Sequence, residues 1–177
     1  MKTLLRNAAY TLANRLRLVS ENAERARLIK SFRSCGKNPT IFMPIVISEP
    51  ENVEIGDDVS LAPFVHIWGG GGIKIGHRVM IASHTAITSL THDYCHMRMY
   101  GTIIKKAIVI EDDVWIGGHC VVLPGIIIGK GSVIGAGSIV TRNVEPNAIM
   151  AGVPARLLKY RSEDSEPAIT QPAHKVT

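Results

Sequence analysis

The stretch IVIEDDVWIGGHCVVLPGIIIGKGSVIGAGSIV (108–140) carries an aliphatic residue at every sixth position: Ile110, Ile116, Val122, Ile128, Ile134 and Val140. An amphipathic helix repeats near 3.6 residues and a half-buried strand at two, so neither produces this period. Six residues suit a short strand and a corner. Three such units make an 18-residue coil that stacks on the next at about 4.8 Å. The pattern extends backward through Ile75, Ile81 and Ile87, and through Ile55, Leu61 and Ile67, with small residues such as Gly56, Ala62, Gly76, Ala82, Gly117 and Gly135 following the aliphatic ones. The related segments VEIGDDVS (53–60), IKIGHRVM (73–80), IVIEDDVW (108–115) and IIIGKGSV (126–133) begin 20, 35 and 18 residues apart. The last interval is a regular coil. The first has two extra residues at the corner Trp68–Gly72, and the second has a loop of about 17 residues within Thr88–Lys106. The expected fold is an all-β solenoid, a parallel β-helix of about five triangular coils. Stacking keeps such a solenoid regular, so the long interruption is the natural place for function.

The composition agrees with that architecture. In 177 residues, 46% are hydrophobic and only 5% aromatic, so the core must be aliphatic, and 16 Gly with 9 Pro supply turns. The length suits one domain with a small appendage. No apolar run approaches the roughly 20 residues of a membrane span. Three cysteines, Cys35, Cys95 and Cys120, form no disulfide framework and fit a reducing compartment, so a cytoplasmic location is expected.

The net charge of +5 is unevenly placed. Residues 1–38 hold nine basic and two acidic residues, a balance of +7, which leaves −2 on the rest of the chain. The basic excess is thus local, and nucleic-acid binding by the body of the protein does not follow from it. Leu4, Leu5, Ala8, Leu12, Leu16 and Val19 fall near helical spacing, with no proline before Pro39. Ser20 and Glu24 miss the capping-box spacing by one residue, which leaves a break there open. Arg6, Arg15 and Arg17 interrupt any signal-peptide core. The expectation is a helix packing its leucine face on the body with arginines in solvent. The alternative is peripheral contact with a membrane surface at the inner face of the membrane. The domain organisation that follows is a basic amphipathic helical segment (1–38), a solenoid (39–160) with an insertion at 88–106, and a polar, disordered tail (161–177).

The repeat resembles that of the hexapeptide-repeat acyltransferases, across roughly residues 40–160. The stretch VWIGGHCVVLPGIIIGKGSVIGAGSIVTRNVEPNAIMAGVPARLLK (114–159) is similar to the carboxy-terminal part of the galactoside and maltose O-acetyltransferases, and THDY (91–94) is closer to acetyltransferases of colanic-acid, capsule and O-antigen synthesis. This resemblance implies a left-handed β-helix, a homotrimer with active sites between subunits, and acetyl-CoA-dependent O-acetylation of a sugar or glycan precursor by direct transfer.

Transfer to a hydroxyl needs a base, because an alcohol is a poor nucleophile at neutral pH. The resemblance assigns that role to His92, within the long insertion. It places Gly118 beside the acetyl group, where the thioester oxygen calls for an N–H donor. It places Ala136 and Thr141 along the pantetheine arm, and Arg142, Arg156 and Lys159 at the nucleotide end, where fixed cations suit phosphates. No metal is implied. Cys120 reads as packing. Where the galactoside and maltose enzymes carry an acceptor-side asparagine this chain has Ala62, so their sugar specificity does not transfer. The role of Asp93 is open, as are those of His84 and His119, which share one place in successive coils and would stack on one face. Competing expectations are a streptogramin-type or serine acetyltransferase, a γ-type carbonic anhydrase, and a non-catalytic scaffold. The carbonic anhydrase needs three metal-binding histidines, and His77 and His84 are seven residues apart where that family shows five.

Overall fold

The structure, a computed structural model, describes residues 2–162. Three parallel sheets form the faces of a solenoid. The first contains Ser34–Cys35, Val53–Ile55, Ile73–Ile75, Ile108–Ile110 and Ile127–Ile128. The second contains Thr40–Ile41, Ser60–Leu61, Met80–Ile81, Trp115–Ile116, Val133–Ile134 and Ala148–Ala151, and is closed by the antiparallel strand Arg156–Tyr160. The third contains Val46–Ser48, His66–Trp68, Ala86–Thr88, Val121–Val122 and Ile139–Val140. These strands make five full turns and a partial sixth, about six in all where about five were expected. The additional turn lies at the amino end, where the first strand begins at Ser34 rather than after residue 38. Its residues lack the glycine-marked hexads that reveal the later turns.

The six-residue period is the register of this stack. Ile110 lies between Ile75 and Ile128, Ile116 between Ile81 and Ile134, and Val122 between Ile87 and Val140. Ile110, Ile116, Val122, Ile128 and Ile134 are completely buried, each burial contributing about 1.5–3 kcal/mol. Buried polar residues in the column shared with Val65 and Cys120 bond to carbonyls: Thr85 Oγ1 donates to Gly117 O at 3.0 Å and Ser138 Oγ to Gly135 O at 2.5 Å. At the corners, residues with left-handed backbone stack from turn to turn, including Asp58, Arg78 and Asp113 on one edge and Phe64, His84 and His119 on another.

The amino-terminal helix α1, Lys2–Ser31, runs unbroken through Ser20 and Glu24. Leu28 and Ile29 pack on the core beside buried Phe32, and Arg25 Nε donates to Ile41 O at 2.6 Å. The expected packing of the leucine face on the body does not occur at Leu12, Leu16 or Val19. Leu12, Leu16 and Val19 are 59%, 62% and 66% exposed. The cause is rotational phase: at 3.6 residues per turn these side chains point about 120–180° away from Arg25, which faces the solenoid. No described helix is long and apolar enough to cross a membrane. Of the carboxy-terminal tail, Arg161 is tied in, its N–H donating to Asn147 O at 2.8 Å and its Nη1 to Gly131 O at 2.7 Å. Residues 163–177 of the expected disordered tail lie outside the described residues.

Candidate active site

The corner between the second and third faces differs chemically from the corner between the first and second. At the first-to-second corner, three of the backbone N–H groups left over by the turn are capped by side chains of the following turn. Lys37 N–H donates to Asp57 Oδ1 at 2.6 Å, Asp57 N–H to His77 Nδ1 at 3.0 Å and His77 N–H to Asp112 Oδ1 at 2.8 Å. The Lys37 N–H, with the nearby His77, holds the Asp57 carboxyl below the usual carboxylate range. His77 is thereby committed to the corner. At the second-to-third corner, Gly118 and Ala136 hold the equivalent place in successive turns, and among the described residues neither N–H has an acceptor within the chain. Gly118 is half-buried and Ala136 exposed. A row of small residues with free donors can lie against an extended amide-bearing ligand. The 18-residue interval could have located this pair; the absence of caps could not be read from sequence.

Three stacked rings occupy the next place along this corner. His84 and His119 stack with ring centroids 4.6 Å apart and 4° between planes, and Phe64 stacks on His84 at 4.9 Å. The left-handed backbone at all three residues aims the rings along the same edge. Ala62 lies one place ahead of this corner, half-buried. Cys120 is buried, with Sγ 3.2 Å from Gly135 O, and burial pushes its thiol above the ordinary value. Both features suit packing and disfavour a thiolate nucleophile.

The long insertion leaves the far edge of the third face as an antiparallel hairpin, Leu90–His92 paired with Ile103–Lys105, in which His92 lies opposite Ile103. His92 is exposed at its end. Asp93 does not orient it: the Asp93 carboxylate accepts from Cys95 N–H at 3.0 Å and lies 3.4 Å from His96 Nε2. Gly118 and Ala136 precede the strands of the third face and His92 follows one, so a single chain holds them at opposite edges of that sheet.

Thr141 and Arg142 follow the strand Ile139–Val140, on the same edge as His92 but two turns further along. Arg142 and Arg156 line one hollow of about 450 Å³, together with Asn143, Met150 and Tyr160. Tyr160 and Asn143 were not singled out from the sequence. The final strand folds back antiparallel, outside the hexad rule, and only that reversal brings Tyr160 to the arginines. Lys159 is exposed on the same strand, opposite Ile149. No group of three His, Cys, Asp or Glu able to hold a metal ion occurs among the described residues.

The bacterial transferase hexapeptide (six repeats) family matches residues 107–142. A galactoside O-acetyltransferase of Escherichia coli K12 is 37% identical, over 79% of this chain and 70% of its own length. A second protein of that strain, named provisionally as a lipopolysaccharide biosynthesis O-acetyl transferase, is 34% identical over 62% of this chain and 61% of its own. A hexapeptide-repeat acetyltransferase of Vibrio cholerae O1 biovar eltor, solved with acetyl coenzyme A, superposes with a TM-score of 0.76 at 34% identity, covering 85% of each chain. Repeat and overall fold thus agree with these relatives over most of the chain, which belongs to the hexapeptide-repeat family of acetyl-CoA-dependent acetyltransferases.

Proposed function

We propose that this protein transfers the acetyl group of acetyl-CoA to a hydroxyl of a sugar or of a glycan precursor of the polysaccharide or lipopolysaccharide type. The observation that carries this reading is the hairpin, the longest interruption of the described solenoid, which presents an exposed imidazole, His92. His92 takes the proton of the acceptor hydroxyl as its oxygen attacks the thioester carbonyl. The C–S bond then breaks, and the same proton passes to the leaving sulfur. The Gly118 N–H stabilises the developing oxyanion. Ala136 and Thr141 border the pantetheine arm, while Arg142, Arg156 and Lys159 meet the phosphates of the nucleotide end with charge-assisted hydrogen bonds. The free N–H groups at Gly118 and Ala136 and the hollow shared by Arg142 and Arg156 support this assignment.

His92 and Gly118 lie at opposite edges of the third face. A complete site therefore takes His92 from one copy and the Gly118 corner from another, and a homotrimer closes three such sites. In this reading residues 39–160 are the catalytic unit and residues 1–38 an accessory segment. The test is His92→Ala, assayed by thiol release over a panel of sugars, nucleotide sugars and lipid-linked glycans. Turnover should fall at least about a hundredfold with acetyl-CoA affinity unchanged. Near wild-type turnover would overturn the assignment.

A further inference from the structure

The amino-terminal helix presents an apolar row that nothing among the described residues covers. Leu12, Leu16 and Val19 are more than half exposed, and Ala23 and Ala26 continue the row, also exposed. Their spacing alternates between four and three residues, which places all five on one stripe. The stripe cannot turn inward, because Arg25, Leu28, Ile29 and Phe32 pin the other side of the same helix to the solenoid.

Charge decides what the stripe meets. Arg15 and Arg27 border it on either side and Lys30 continues it, all exposed. The two acidic residues of the helix, Glu21 and Glu24, lie away from it, and Glu21 is 3.6 Å from Arg17. A second copy docked along this stripe would set arginine against arginine with no carboxylate in the seam, the opposite of the flanking pairs that hold helices together. An anionic bilayer satisfies both features: the apolar row enters the interface while the cations reach lipid phosphates.

We propose that α1 is an interfacial anchor that lays its Leu12–Leu16–Val19 stripe on an anionic lipid surface, with Arg15, Arg27 and Lys30 at the headgroups. The proposal is independent of the acetyl-transfer chemistry. It is tested by flotation of the full chain with vesicles of phosphatidylcholine alone or mixed with phosphatidylglycerol. Wild type should float only with the mixed vesicles. Leu12→Ser/Leu16→Ser/Val19→Ser should abolish flotation, and Arg15→Ala/Arg27→Ala/Lys30→Ala should weaken it roughly a hundredfold, about fivefold per cation. Both variants should keep the wild-type mass in light scattering and its turnover of a water-soluble acceptor. Failure of wild type to float, equal flotation with neutral vesicles, or a serine variant that floats like wild type would each overturn the proposal. A serine variant of reduced mass, alongside a wild type that does not float, would assign the stripe to a second copy.

Discussion

Arg78 and Asp113 form a two-point ion pair across adjacent turns of the solenoid, with Nε 2.6 Å from Oδ1 and Nη2 2.9 Å from Oδ2. The residues are 35 apart in sequence because the insertion lies between them. Both have left-handed backbone, with φ of 56° and 61°, and this aims the two side chains along one edge. The pair thus clamps the turn that carries the hairpin to the turn that carries Gly118.

The clamp makes stability depend on pH in a defined direction. Hydrogen bonding to the Arg78 guanidinium holds the Asp113 carboxyl below the usual carboxylate range. Its stabilisation is therefore fully present above the unfolded-state value of about 3.9 and is lost as pH falls through the lower folded-state value. Asp113→Asn keeps a side chain that tolerates positive φ and removes the charge. Thermal melts should show the variant less stable than wild type at neutral pH, with the gap narrowing below about pH 4. A gap that stays constant down to acid pH would contradict this account.

Adjacent glycines should separate structure from chemistry. A Cβ on Gly117 would lie 2.6 Å from Ala136 N and 2.9 Å from Ile134 O, both backbone atoms. Gly117→Ala should therefore cost about 1–3 kcal/mol in denaturant unfolding. A Cβ on Gly118 meets only Ser83 O, at 3.2 Å. Gly118→Ala should cost less stability than Gly117→Ala while lowering turnover roughly ten- to a hundredfold, because it crowds the proposed oxyanion position. Equal effects of the two substitutions on activity and on stability would remove Gly118 from the site.

The two arginines of the shared hollow should act on binding. Arg142→Ala and Arg156→Ala should each raise the KM for acetyl-CoA about tenfold or more, the scale of a lost charge-assisted hydrogen bond. Turnover at saturation should change little. A fall in kcat with KM unchanged would place these side chains elsewhere in the reaction. Thermal melts provide the control, since both arginines are exposed and their loss should not unfold the chain.

Most of the core was legible in sequence because the period of six is also the stacking register: Ile110, Ile116, Val122 and Ile128 occupy the columns their spacing implies. The long interruption was legible for the same reason, as a break in that register. Its conformation was not, since the antiparallel pairing of Leu90–His92 with Ile103–Lys105 obeys no repeat. Helical spacing likewise located α1, but its apolar face alone does not say which way the helix turns against the body. The contacts of Leu28 and Phe32 set that rotation, and they leave Leu12 and Leu16 outward.

By itself, the sequence determined the solenoid, its aliphatic columns and the position of the insertion, because each is a one-dimensional regularity imposed by stacking identical backbone units. Only the tertiary structure decided that the Gly118 and Ala136 N–H groups stay free, and that His92 and Gly118 stand at opposite edges of one sheet. It also decided that the returning final strand brings Tyr160 to Arg142 and Arg156. Those relationships depend on which side chains reach across from neighbouring turns, and a period shared by every turn cannot encode them.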